Sequence, residues 1–268
     1  MYDITPDRTT TRIITAGPTK HTSPEDANTL YTVLVQVEHR TKYDNNTPYE
    51  ATLNVYYRLL NTESKRVEDT DKHYLTAHYS RYLVSPNGDI RITGTHGGMA
   101  FLELSPRHIR GRRIATYLMN EVVRWAKQWP EAEVYPIELL HGQAINSDEK
   151  ERRNRFYARF GIEFDFHDPI AQETGISKPM TAQGLKEVSS WEENITEHEL
   201  APYLNATYAQ LNDLKYQVTF LTADLRRSRE ELELVRVPKP SPFSLKAAVL
   251  GVVIGFGMAM FCVKFAGL

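Results

Sequence analysis

The chain has 268 residues, a formal net charge of -2 and a single cysteine, Cys262. The near-neutral balance excludes a global electrostatic pull toward nucleic acid or an anionic membrane. One cysteine excludes a disulfide framework or a cysteine zinc site within the chain, and the length suits one good-sized domain plus appendages.

The N-terminus, "MYDITPDRTTTRIITAG", has no basic region followed by an apolar core, so no secretory signal is expected. Residues 1–27 are polar, rich in threonine and without periodicity, and read as a flexible arm. Alternation then begins. Val33, Val35 and Val37 share one face, as do Leu53, Val55, Tyr57 and Leu59, with turn chemistry in "KYDNNTPYE" between them. A second hairpin, "RYLVSPNGDIRITG", turns at Asn87-Gly88. "GGMAFLEL" (97–104) and "VYPIELL" (134–140) read as buried strands. Between them, Ile114, Tyr117, Leu118, Val122 and Trp125 recur at helical spacing, predicting a helix over about 111–128. Asn146 and Glu149 resemble a capping box for another helix ending at Gly161, followed by a strand, "GIEFDF".

From His167 to about Ile195 the chain is polar and irregular, and a different composition follows. Pro202 suits a first helical turn. A heptad register then holds, with a positions Leu204, Leu211, Val218, Leu225 and Leu232 and d positions Thr207, Leu214, Leu221, Ser228 and Val235. A 3.5-residue period over this length predicts a self-associating coiled coil, a homo-oligomer through 204–235; a helix docked on the domain is the alternative. A Pro-rich spacer, 237–246, leads to 247–263, which is uncharged and bracketed by Lys246 and Lys264. As a helix it measures about 25 Å, and flanking lysines extend its reach toward the roughly 30 Å hydrocarbon core. It reads as a transmembrane tail anchor, with a buried core helix as the alternative. Gly251 and Gly255 form a small-xxx-small pair. Basic residues cluster before the segment, among them Arg226, Arg227, Arg229 and Arg236, which predicts that the bulk of the chain faces the cytoplasm.

The chemistry concentrates in "HIRGRRIATYLMN" (108–120), where a buried strand gives way to a helix. Helix starts carry unpaired N–H groups and a positive dipole end, so a pyrophosphate fits there. Arg110, Gly111, Arg112, Arg113, Ile114 and Ala115 resemble the signature of the GNAT superfamily of acetyl-CoA-dependent N-acetyltransferases: Arg or Gln, two residues, Gly, any residue, then Gly or Ala. Thr116 continues in that style, while Arg113 stands where the family prefers glycine. "FYARFGIEF" is similar to a second family motif, with Phe156, Tyr157, Gly161 and Ile162 in place, and Lys150 and Arg153 off the pattern. The resemblance spans roughly residues 30 to 166.

It implies an α+β fold: a GNAT-like mixed, mostly antiparallel sheet flanked by helices, over 28–195. A long coiled-coil helix (196–236) and a single C-terminal transmembrane helix would follow. It implies acetyl-CoA as acyl donor, bound at Arg110 to Thr116, and direct transfer to an amine of a small molecule or protein. Tyr157 would protonate the leaving thiolate. A backbone N–H near Leu102 to Leu104 would polarise the thioester carbonyl. Glu103 and Glu138, carboxylates in apolar strands, are the candidate bases, since burial raises a carboxyl pKa. No metal is expected, because the histidines show no ligand spacing with a carboxylate, and no nucleic-acid partner, because the net charge is only -2. His141 follows the second buried strand and is read as structural or exposed. Two other functions stay open: a GNAT-like fold used as an interaction or scaffold module, and an acyl-CoA pocket that binds without turnover.

Overall fold

The computed structural model describes residues 3–4, 8–20, 22, 28–60, 73–81, 86–92, 109–141 and 146–235. The chain divides into two units, 1–205 and 206–268. The first is α+β, built on a large, mostly antiparallel sheet. Its strands are β1 (Asp3–Ile4), β2 (Arg8–Ala16), β3 (Tyr31–Asp44), β4 (Thr47–Leu59), β5 (His73–Ser80), β6 (Asp89–Arg91), β7 (Glu133–Val134) and β11 (Ile195–Glu199). They run in the order β11-β2-β3-β4-β5-β6-β7, with β1 on β3. A three-stranded sheet, β8 (Glu138–Leu139), β10 (Gly175–Ser177) and β9 (Phe164–Phe166), stands apart from it.

The alternating residues of β3 and β4 behave as their spacing requires. Val33, Val35, Val37, Leu53, Val55 and Tyr57 are all buried. The hairpin turns at Asn45 and Asn46, with φ of 47° and 65°. Two successive left-handed residues match the right-handed strand twist, and asparagine tolerates them. β5 and β6 form the second expected hairpin, pairing Tyr79 with Ile90. Gly88 takes φ of 86°, and a Cβ there would lie 2.6 Å from Tyr79 Cε2, so the turn needs glycine twice over.

Helix α1 (Ile114–Ala126) lies in the chain between β6 and β7, the one parallel pair of the large sheet among the described residues. A parallel pair requires such a crossover. Its predicted apolar set is buried, and the helix packs on β4 and β5. Tyr79 stacks on Trp129 at 4.3 Å just beyond it. Helix α2 (Ser147–Arg159) is capped as expected: Glu149 N donates to Asn146 Oδ1 at 2.9 Å.

Four expectations need correction. Residues 8–16, read as part of an arm, form a central strand. Thr9, Thr10, Thr11 and Thr15 are β-branched, and branching suits a pleated strand more than their polarity suits a loop. Both Ile13 and Ile14 are buried, on opposite faces, which erases alternation. "VYPIELL" is not one strand. It breaks at Tyr135 to Ile137 into β7 and β8, which join different sheets; Pro136 has no N–H to give a ladder. The irregular stretch before 195 contains β10, inserted between β8 and β9. Residues 196–199 belong to β11, whose Glu197 pairs with Ile14 of β2, so the long helix α3 (Leu200–Val235) starts later than the heptad domain was drawn. The expected strand over 97–104 lies outside the described residues, as do the Pro-rich spacer and 247–263.

If β2 is integral, Ile14→Ala will lower the unfolding free energy by about 2–5 kcal/mol. Denaturant titration followed by tryptophan fluorescence reads this, since Trp125, Trp129 and Trp191 all belong to the first unit. A change within about 0.5 kcal/mol is what an exposed arm would give.

Candidate functional site

The loop before α1 has an unusual backbone. Gly111 takes φ of 83° and Arg113, at the N-cap, φ of 60°. Left-handed residues are a feature of the backbone nests that bind anions. No side chain caps α1, and its first turn holds no acidic residue. The helix start expected from the sequence to be electropositive thus has no capping side chain and no carboxylate within its own first turn.

The arginines of the loop are engaged by the rest of the protein. Arg112 is fully buried; its Nη1 donates to Thr29 O, and its guanidinium lies 4.5 Å over the Tyr31 ring. Arg113 donates from Nη1 to Ser190 O and pairs with Glu193 Oε2 at 2.8 Å. Arg110 Nη1 pairs with Glu149 Oε1 at 3.3 Å, tying the loop to the first turn of α2. All three arginines thus have protein partners. The off-pattern Arg113 holds a conformation where glycine would be relaxed, and its ties to 190–193 offset a left-handed cost of roughly 1–2 kcal/mol.

Neutral contacts complete the frame. Thr19 Oγ1 donates to Gly111 O at 2.8 Å, and Asn194 Nδ2 donates to Gly17 O at 3.1 Å and Arg112 O at 3.0 Å. One turn into α1, the Tyr117 hydroxyl donates to Glu197 Oε1 of β11, and burial pushes this phenol well above its ordinary pKa. Arg12 of β2 pairs with Glu121 Oε2 of α1 at 2.9 Å and lies 3.6 Å from Glu197 Oε1. Trp191 meets Tyr117 edge-on at 5.0 Å. None of these partners was visible in the sequence, because each pair is separated by more than 70 residues and no local period links them. Glu149, 39 residues from Arg110, differs in that it carried a signal of its own as a capping-box residue, and its carboxylate meets Arg110.

Tyr157 is buried on α2, edge-on to Phe156 and Phe164 at 5.4 Å each. Burial pushes its phenol up to about 12, against an opposing pull from Arg153. Arg153 donates to Glu173 O at 2.7 Å and Leu140 O at 3.3 Å, clamping α2 to the end of β8 and the loop before β10. Arg153 thus has a structural use here. Glu138 is exposed on β8, so the burial that recommended it as a base is absent. His141 is exposed, with Nδ1 2.8 Å from Glu173 Oε2. Leu102, Glu103 and Leu104 lie outside the described residues. Ile114 is buried in the core, Thr116 is buried beside it, and Ala115 is partly buried. Among the described residues no group of three or more His, Cys, Asp or Glu side chains could hold a metal.

Compared with family models, with curated proteins and with solved structures, the chain matches none.

The roles given to Arg113 fix an order of stability. Arg113→Ala loses both ties and keeps the left-handed strain, whereas Arg113→Gly loses the ties and relieves it. Glycine should therefore be more stable than alanine by about 1 kcal/mol, with both below the parent. Denaturant midpoints of the three proteins measure this; equal midpoints for glycine and alanine would remove the strain argument.

Proposed function

We propose that the first unit is an acetyl-CoA-dependent N-acetyltransferase of the GNAT kind, and that 247–263 tethers it to the cytoplasmic face of a membrane. The observation that carries the reading is the start of α1: uncapped, free of acidic residues in its first turn and preceded by two left-handed residues. Main chain from Gly111 to Thr116 would hold the pyrophosphate of the acyl donor, and the fit is one of backbone rather than of arginine side chains. Supporting it is the α+β arrangement of the described elements, with antiparallel strands, a parallel β6/β7 pair spanned by α1, then α2 carrying Tyr157. In the transfer, the amine nitrogen forms a bond to the thioester carbonyl carbon and the carbon–sulfur bond breaks. The amine proton passes to a base or water, and the thiolate takes the Tyr157 proton. A phenol held up to about 12 stays protonated across the neutral range and can donate. Glu103 remains the candidate base; Glu138, exposed, is the weaker one.

The membrane tether rests on the uncharged run between Lys246 and Lys264. Among the described residues no helix is long and apolar enough to cross a membrane.

A second reading is favoured by the engaged arginines: a GNAT-like fold used as a binding or scaffold module. Calorimetric titration of the full chain in detergent with acetyl-CoA separates the two. Saturable binding supports the transferase reading, and no heat up to about millimolar ligand, an affinity weaker than roughly 4 kcal/mol, would leave the scaffold. Where binding is seen, thiol release with a panel of amines tests turnover. Tyr157→Phe should then cut the rate by about 10²–10⁴ while affinity stays within a few-fold. An unchanged rate would make Tyr157 a packing residue, and binding with no release by any amine would leave an acyl-CoA-binding module.

A further inference from the structure

Helix α3 is continuous over 36 residues, Leu200–Val235, without an interruption at Ser228 or the threonines. Its heptad side chains are open to solvent: Leu211, Leu214, Val218, Leu221, Leu225 and Leu232 are 46% to 72% exposed. An unbroken seam of this kind demands an apolar cover, and the flanking charges state which cover fits. The e positions are Tyr208, Lys215, Thr222 and Arg229, with Arg236 next in the sequence. Those at g are Gln210, Gln217, Asp224 and Glu231. Every charge at e is positive and every charge at g is negative. Asp224, Arg229 and Glu231 form no ion pair among the described residues, whereas Arg226, at b on the outer face, is paired with Glu230 along the helix at 3.1 Å.

We propose that α3 pairs with α3 of a second copy of this chain, parallel and in register. In a parallel two-stranded coil each g residue meets the e residue of the following heptad across the seam. Asp224 then faces Arg229 of the other copy, twice over by symmetry. In an antiparallel coil e faces e and g faces g, which sets Lys215 and Arg229 among themselves and Asp224 and Glu231 among themselves. Like charges at a seam discriminate against that arrangement. Thr207 and Ser228, polar at d, lower the stability of the seam without altering its charge pattern. The inference does not depend on the transferase reading.

Disulfide trapping on the full chain in mild detergent tests it, starting from Cys262→Ser so that no native thiol intervenes. Thr207→Cys and Ser228→Cys, made separately, should each give a covalent dimer with copper phenanthroline, and Thr219→Cys, at b on the outer face, should not. The two d positions are 21 residues apart, about 31 Å along a helix, so no antiparallel pair can link both to themselves. Cross-linking only when the Thr207→Cys and Ser228→Cys proteins are mixed, or a monomer by light scattering at tens of micromolar, would overturn the proposal. A second measurement uses the charges. Asp224→Lys should raise the dimer dissociation constant about fivefold, the sum expected of two exposed pairs. Adding Arg229→Glu should restore it. Failure of the reversed charges to restore association, in a protein of undiminished helicity, would equally overturn the parallel register.

Discussion

Strand β2 is hydrogen-bonded along both edges, to β3 on one side and to β11 on the other. The pairing of Glu197 with Ile14 joins segments more than 180 residues apart, and the rest of the first unit is arranged around that closure. β11 brings Glu197 to Tyr117 and Arg12. The 3₁₀ turn just before it brings Ser190 and Glu193 to Arg113, and Asn194 to the carbonyl of Arg112. The loop that opens α1 is thus fixed from outside by the two segments that flank the closure, 17–19 and 190–197. The surface ion pairs add little individually. Buried Arg112, stacked on Tyr31 and bonded to Thr29, is a different matter, because removing its partners would strand a charge in the core.

This arrangement separates two properties that the sequence presents as one. "IRGRR" reads as a concentration of positive charge. In the fold those arginines hold the loop, while the backbone, left-handed at Gly111 and Arg113, runs into a helix without a side-chain cap. Main-chain donors and a helix dipole bind phosphate without help from side chains, although less tightly than with it. Arg113 illustrates the exchange. It occupies a conformation for which glycine is the relaxed choice, and its side chain secures that conformation by reaching Ser190 and Glu193.

Local order was legible in the sequence wherever one period governed it. The alternations of β3 and β4, the turn at Asn87-Gly88, the apolar stripe of α1 and the Asn146 cap were all readable, because each depends on residues within one or two turns of one another. β2 escaped because its threonines look polar and its two isoleucines point to opposite faces. Pro136 was visible but was absorbed into an apolar run that it actually splits between two sheets. The partners of the three arginines were out of reach for a plainer reason. A guanidinium finds its acceptor through the fold, and nothing near Arg113 in the chain announces Glu193. Glu138 misled in the opposite way, since apolar neighbours along a strand say nothing about whether the strand's other face is covered.

The closure of β2 has a consequence for how the chain comes into being. β2 and β3 are neighbours in sequence and can pair as soon as both are made, but the other edge of β2 must wait for β11. About 150 residues separate the end of β3 from β11, which at about 5–20 residues per second is roughly 8–30 s of synthesis. Through that interval the nascent sheet presents a β-branched strand edge to its surroundings, the condition under which unpaired strands recruit other chains. Arg8 and Arg12 interrupt that edge with charge, and Arg12 exchanges this solvated duty for its pairing with Glu121 and Glu197 once the sheet is complete.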